Sequence, residues 1–111
     1  MAWLVRDGTV LATVESAATR RERRRGLRGR AGIDGVLRLR ARSVHTIGVR
    51  FPIDVAFCRP RGRGELRVVR VVTLRPNRVT RPSWGGRVAL EAEAGAFRRW
   101  DVRPGDRLEV R

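Results

Sequence analysis

Lysine, tyrosine and glutamine are missing from this chain, and cysteine and histidine occur once each, as Cys58 and His45. A single cysteine excludes an internal disulfide framework. One Cys with one His also falls short of the three or four ligands of a usual zinc or iron centre, so no metal site is expected. No apolar run approaches the roughly 18 residues that span a bilayer. The N-terminal Met1-Ala2-Trp3-Leu4-Val5 meets Arg6-Asp7-Gly8 too soon for the apolar region of a signal peptide, so a soluble, cytoplasmic protein without a membrane span is expected. Aromatics are few. Trp3, Phe51, Phe57, Trp84, Phe97 and Trp100 are all of them, and none lies in the densest basic run.

Acidic residues are also scarce, 11 against 26 basic ones, for a net charge of +15. Every basic residue is arginine. With Ala, Val and Gly abundant, this is the mark of GC-rich codon usage, which turns surface cations into Arg whatever their role. The surplus itself suits nucleic acid or an anionic surface. Nucleic-acid modules interleave aromatics with their cations to stack bases, however, and the run Arg20, Arg21, Arg23, Arg24 and Arg25 has none. Nucleic-acid association through that run is therefore the alternative reading, and a solvated face the plainer one. At 111 residues, 41% of them hydrophobic, the chain suits a single domain that buries about two-thirds of its unfolded surface.

The order of elements reads as mostly β. Trp3–Arg6 and Thr9–Val14 flank Asp7-Gly8, a dipeptide suited to a primed hairpin turn. Thr19 with Glu22 forms a capping-box signature for a short helix, Arg20 to Arg25, with Leu27 as its apolar anchor. Period-two alternation follows in Val36–Arg42, read as a basic edge strand, and in Ile53–Cys58, with Pro52 at its start. Leu66–Leu74, carrying Val68, Val69, Val71 and Val72, reads as a central strand covered on both faces. Arg75–Arg87 is loop, with Trp84 expected as a lid over a core edge. Val88–Ala94 alternates again, Gly95 permits a reversal into one or two helical turns, and Leu108 and Val110 close the chain after a Pro104-Gly105-Asp106 turn. The expectation is α+β only at the margin: a small antiparallel β barrel or sandwich with two short helices, one domain over 1–111, with a hairpin at 1–15.

Across 19–110 the chain resembles the bacterial and archaeal family of domain of unknown function 192. The resemblance rests on Arg25-Gly26-Leu27 with Arg30, Gly35-Val36-Leu37, the stretch His45-Thr46-Ile47-Gly48-Val49-Arg50-Phe51-Pro52-Ile53-Asp54-Val55-Ala56-Phe57, Ala89-Leu90-Glu91-Ala92 with Gly95, and Gly105-Asp106. Many members have a Phe-Trp-Met-type block where this chain has Val44-His45-Thr46. The resemblance implies a compact, mostly β fold and brings no reaction, ligand or cofactor. Many relatives look exported or lipid-anchored, and no such leader is read here.

The best candidate site is His45–Cys58. If the strand runs regularly through Pro52, Arg50, Asp54, Ala56 and Cys58 share one side, and Phe51, Ile53, Val55 and Phe57 form the core side. On one reading Asp54 fixes a loop by accepting backbone N–H groups or pairing with Arg30 or Arg50. On the other, Arg30, His45, Arg50, Asp54 and Glu91 form an arginine-lined pocket for a small anion or an acidic protein segment. A hydrolase using His45 as general base is a further alternative. It requires a nucleophile and an orienting group in reach, and only Asp54 and Cys58 offer themselves, so no catalytic residue is assigned. Cys58 reads as a small hydrophobe whose pKa Arg59 lowers if both are exposed. No cofactor is expected: Gly26-x-x-Gly29 lies at the wrong end of a helix for a phosphate cradle, and Gly62-x-Gly64 is a hairpin turn. The whole points to a non-enzymatic binding domain.

Overall fold

The alternation read from the sequence closes on itself. In the computed structural model, which describes residues 1–111, seven strands form a closed barrel with two short helices. The strands are β1 (Ala2–Arg6), β2 (Thr9–Ala17), β3 (Val36–Arg40), β4 (Ile53–Pro60), β5 (Glu65–Leu74), β6 (Val88–Glu93) and β7 (Arg107–Val110). The helices are α1 (Arg20–Arg25) and α2 (Ala96–Arg99). Around the ring the order is β1-β2-β3-β6-β4-β5-β7, with β7 returning to β1.

Local chemistry sets each element. Asp7 and Gly8 both take positive φ, 49° and 79°, as a primed turn between β1 and β2 demands. The Thr19–Glu22 capping box is formed in both directions, and Gly26 ends α1. Residues 18–35, with α1 among them, give the chain room to cross over, so β2 and β3 run parallel while the other pairings are antiparallel. Gly35 turns the chain into β3 at φ +76°, where a Cβ would come within 2.7 Å of the Thr13 carbonyl oxygen. With β2 on one side and β6 on the other, β3 is not the edge strand its arginines suggested; closure leaves no edge.

Two apolar layers follow from the strand parity. One draws on all seven strands, fills the barrel and is plugged by Ala96 and Phe97 of α2. The second lies outside the sheet, where Leu37, Leu39, Val55, Phe57 and Ala89 pack under Leu27, Val44 and Val49. In β4, Ala56 and Cys58 therefore face inward, and Ile53, Val55 and Phe57 outward. Opposite Phe57 and Cys58, β5 carries a bulge at Val69, which shifts its parity: Val68 and Val71 pack inward, Val69 and Val72 outward.

The outer layer is roofed by two loops, 41–52 and 75–87, joined through the buried Thr46. Its amide donates to the Arg78 carbonyl (2.8 Å) and its hydroxyl to the Arg75 carbonyl (2.6 Å), while the hydroxyl accepts the Arg78 amide (2.9 Å). Val44 and Thr80 exchange two further bonds of 2.9 Å. Trp84 is not the lid its position suggested. The turn Ser83–Gly86 buries Ser83 and Gly86 instead, and Trp84 stands 87% exposed at its tip. No helix is long and apolar enough to cross a membrane.

Candidate functional site

Glu91 lies in β6 between Leu37 of β3 and Val55 of β4, on the outward face that it shares with Ala89. At this position the outward face lies under the roof, so the side chain enters the apolar layer: Glu91 is 3% exposed and its Oε1 has no hydrogen-bond partner. Burial pushes its carboxyl up to about 7, against the opposing pull of the Arg30 charge. Gly26, just after α1, lies against the carboxylate; a Cβ there would sit 3.6 Å from Oε1.

Above Glu91 is a pocket of about 90 Å³. The end of α1 contributes Arg23, Arg24 and Arg25 to its rim, β3 contributes Leu39 and Arg40, and the roof contributes Ser43, Val44, His45 and Val49. The volume admits one small polar group or a few waters. His45 Nδ1 accepts the Ile47 amide (3.3 Å), so in the neutral ring the proton sits on Nε2. The rim is cationic and the floor is a carboxyl group that titrates near neutrality. Protonated, that floor donates a hydrogen bond to an anion; ionised, it repels one.

The residues expected to share one site are only partly brought together. His45 and Glu91 line the same pocket. Arg30 lies close enough for its charge to act on Glu91, but its guanidinium is committed to Glu15 through both terminal nitrogens. That contact holds the Glu15 carboxyl below the usual range and raises Arg30. Glu15, Leu37 and Glu91 form one row across β2, β3 and β6, which explains how Arg30 reaches both acids.

Asp54 and Arg50 lie apart from this pocket. Arg50 is exposed and precedes β4, so Pro52 does not carry the strand back to it. Asp54 is buried and accepts the Gly95 and Phe97 amides at 3.0 and 3.3 Å and the Thr73 hydroxyl at 2.7 Å. It fixes the entry to α2 by the backbone route and pairs with neither Arg30 nor Arg50. Cys58 is fully buried in the barrel, where desolvation pushes its thiol up to about 12, opposite to the lowering that exposure beside Arg59 would bring. Neither Asp54 nor Cys58 hydrogen-bonds to His45. No group of three or more His, Cys, Asp or Glu side chains is placed to hold a metal ion.

The basic run belongs partly to this site. Arg23 and Arg25 are tied to the Ala18 and Arg28 carbonyls, while Arg20, Arg21, Arg24 and Arg25 surround an open depression beside the rim. Sequence reasoning singled out Arg23, Arg24 and Arg25 for another partner and passed over Arg40, Ser43 and Glu15. The parity of Glu91 with Ala89 was a signal that Glu93, on the same parity, cancelled, and the crossover that folds α1 over it carries none.

The family model described as Uncharacterized ACR, domain of unknown function 192, matches residues 2–110, which includes the N-terminal hairpin as well as 19–110. Two solved structures share the fold. One is a protein of unknown function from Novosphingobium aromaticivorans, 16% identical, with a TM-score of 0.76 over 97% of this chain and 82% of the other. The second, from Sinorhizobium meliloti, is described as a "putative transcription regulator"; it is 26% identical, with a TM-score of 0.74 over 98% of this chain and 91% of the other. No curated protein matches the chain.

Proposed function

The chain belongs to the uncharacterised family of domain of unknown function 192, which supplies a fold and no reaction, and we propose that it is a single-domain, non-enzymatic binding protein of the cytoplasm that takes a small anion in the pocket over Glu91. The observation that carries this reading is the unpartnered, buried Glu91 Oε1 beneath an arginine rim. A buried polar atom without a partner costs about 1–3 kcal/mol, and a ligand that exchanges a hydrogen bond with it recovers that cost. Guanidinium groups suit carboxylate and phosphate oxygens by shape as well as charge.

The pocket accepts the anionic head of a ligand, not a whole metabolite. A carboxylate or phosphate ester enters head first, held by Arg24, Arg25 and His45, with protonated Glu91 donating from below. An acidic side chain of a partner segment presents the same chemistry. Because the bound anion favours the protonated floor, affinity falls as pH rises through about 7.

A thermal-shift screen of small carboxylates and phosphate esters at pH 6 and pH 8 tests this. The expected hit stabilises the protein more at pH 6. Arg24→Ala and His45→Ala weaken it, and Glu91→Gln binds it with little pH dependence. A hit that is indifferent to all three substitutions, or an exhaustive screen without one, overturns the reading. Retention of the protein in the soluble cytoplasmic fraction of fractionated cells checks the location.

A further inference from the structure

Trp84 is held at the tip of a turn that is fixed at both ends. The Ser83 amide donates to the Arg42 carbonyl (2.7 Å), Gly86 closes the turn onto the Ser83 carbonyl (3.2 Å), and the Arg87 amide donates to the Cys58 carbonyl (2.9 Å). Gly85, at φ +86°, supplies the left-handed residue such a turn needs at its third position. The indole is thus presented by a rigid backbone and buried against little. A large exposed aromatic in a domain this small calls for a reason beyond packing.

Two cationic hollows border the turn that carries the indole, and Trp84 itself lines one of them. That one, of about 420 Å³, is lined by Arg70 and Arg81 with Pro82 and Trp84. Gly85 and Gly86 open onto the second hollow of about 420 Å³, lined by Arg42, Arg59 and Arg87. Arg42 and Arg87 continue into a larger depression that reaches Arg38 and Arg40 at the barrel end. No acidic residue lines any of the three. All six ion pairs of the protein use other arginines: Arg6, Arg30, Arg99, Arg103, Arg107 and Arg111. Arg59 and Arg70 each spend one donor on a backbone carbonyl, of Gly85 and Arg81 respectively, which orients the guanidinium and leaves its other donors free.

The geometry points to a binding site for single-stranded nucleic acid, in which an unpaired base stacks on Trp84 and the phosphates on either side of it enter the two arginine-lined hollows. Stacking on an exposed aromatic combined with a cationic track is how sequence-tolerant single-strand binders work. A duplex keeps its base faces within its own stack and gains nothing from the indole. A membrane surface wants several apolar groups together, and Trp84 stands with cations instead. The two hollows share no lining residue with the Glu91 pocket, which meets only the depression at the barrel end, at Arg40 and Ala41, so the site holds or fails independently of that pocket.

The test uses the full chain and three fluorescent probes with the same number of phosphates: a single-stranded oligothymidylate, the same backbone without bases, and a duplex of half the length. The expected result is roughly tenfold tighter binding of the base-bearing strand than of the abasic one. Trp84→Ala removes that difference and leaves abasic binding unchanged, while Trp84→Phe keeps most of it. Arg59→Ala and Arg87→Ala weaken both strands and each lower the slope of log affinity against log salt by about 0.7. Equal binding of the abasic strand, tighter binding of the duplex, or Trp84-dependent binding to phosphatidylserine vesicles without single-strand preference overturns the assignment.

Discussion

Two buried carboxylates on adjacent strands meet opposite fates. Asp54 has two backbone amides and a hydroxyl donating to it, and it organises the turn into α2. Glu91, on the other face of the sheet, has an oxygen with no partner and titrates at about 7. The folded chain keeps the Glu91 proton to about pH 7, whereas the unfolded chain loses it near the ordinary 4.5. Stability therefore falls as pH rises between those values, by about 3 kcal/mol in all, and is not regained above them. Glu91→Gln removes the titration. Its melting temperature is expected to exceed that of the parent at pH 8 and to match it near pH 4.5, as followed by circular dichroism in dilute buffer. Asp54 was legible as partly buried from its place beside Ala56, whereas the burial of Glu91, which alternates with Glu93 as well as with Ala89, was not legible. That they face opposite sides was not legible either, because the face shared by neighbouring strands depends on register, and register is fixed by pairing partners far apart in the chain.

Elements whose cause is local were the readable ones. The Asp7-Gly8 hairpin, the Thr19–Glu22 capping box and the Gly95 reversal all stand where neighbouring residues put them. The bulge at Val69 and the parallel pairing of β2 with β3 are settled by distant partners and were invisible. The roof over Glu91 belongs to the second kind. Thr46 reads as one polar residue in a loop, yet its hydroxyl and backbone join 41–52 to 75–87. Thr46→Val keeps the shape and deletes the hydroxyl, leaving the Arg78 amide without its acceptor, at a cost of about 2 kcal/mol. Faster hydrogen exchange at the Arg78, Asn77 and Thr80 amides, with β4 and β6 still protected, is the expected signature. Exchange that rises equally throughout the barrel would mean the roof and sheet unfold as one unit.

On the scale of the molecule, closure decides how arginine is distributed. The ion pairs cluster on β1, β7, α2 and the Arg30–Glu15 contact, and the cations around Trp84 and the barrel end are left without acidic neighbours. A uniform coat, which composition alone suggests, would not divide this way. The ring shuts where β1 meets β7, Leu4 opposite Val110 and Val5 opposite Glu109, with Trp3 and Arg111 exchanging two more bonds. During synthesis, then, the first strand to emerge must wait for the last. Until the ribosome has released Val110, β1 and β5 each present an unsatisfied flank to other nascent chains. A fragment ending at Gly105 is expected to collect in large assemblies on size-exclusion chromatography while the whole chain elutes as a compact species, so that the final strand acts as the latch that ends a hazardous interval.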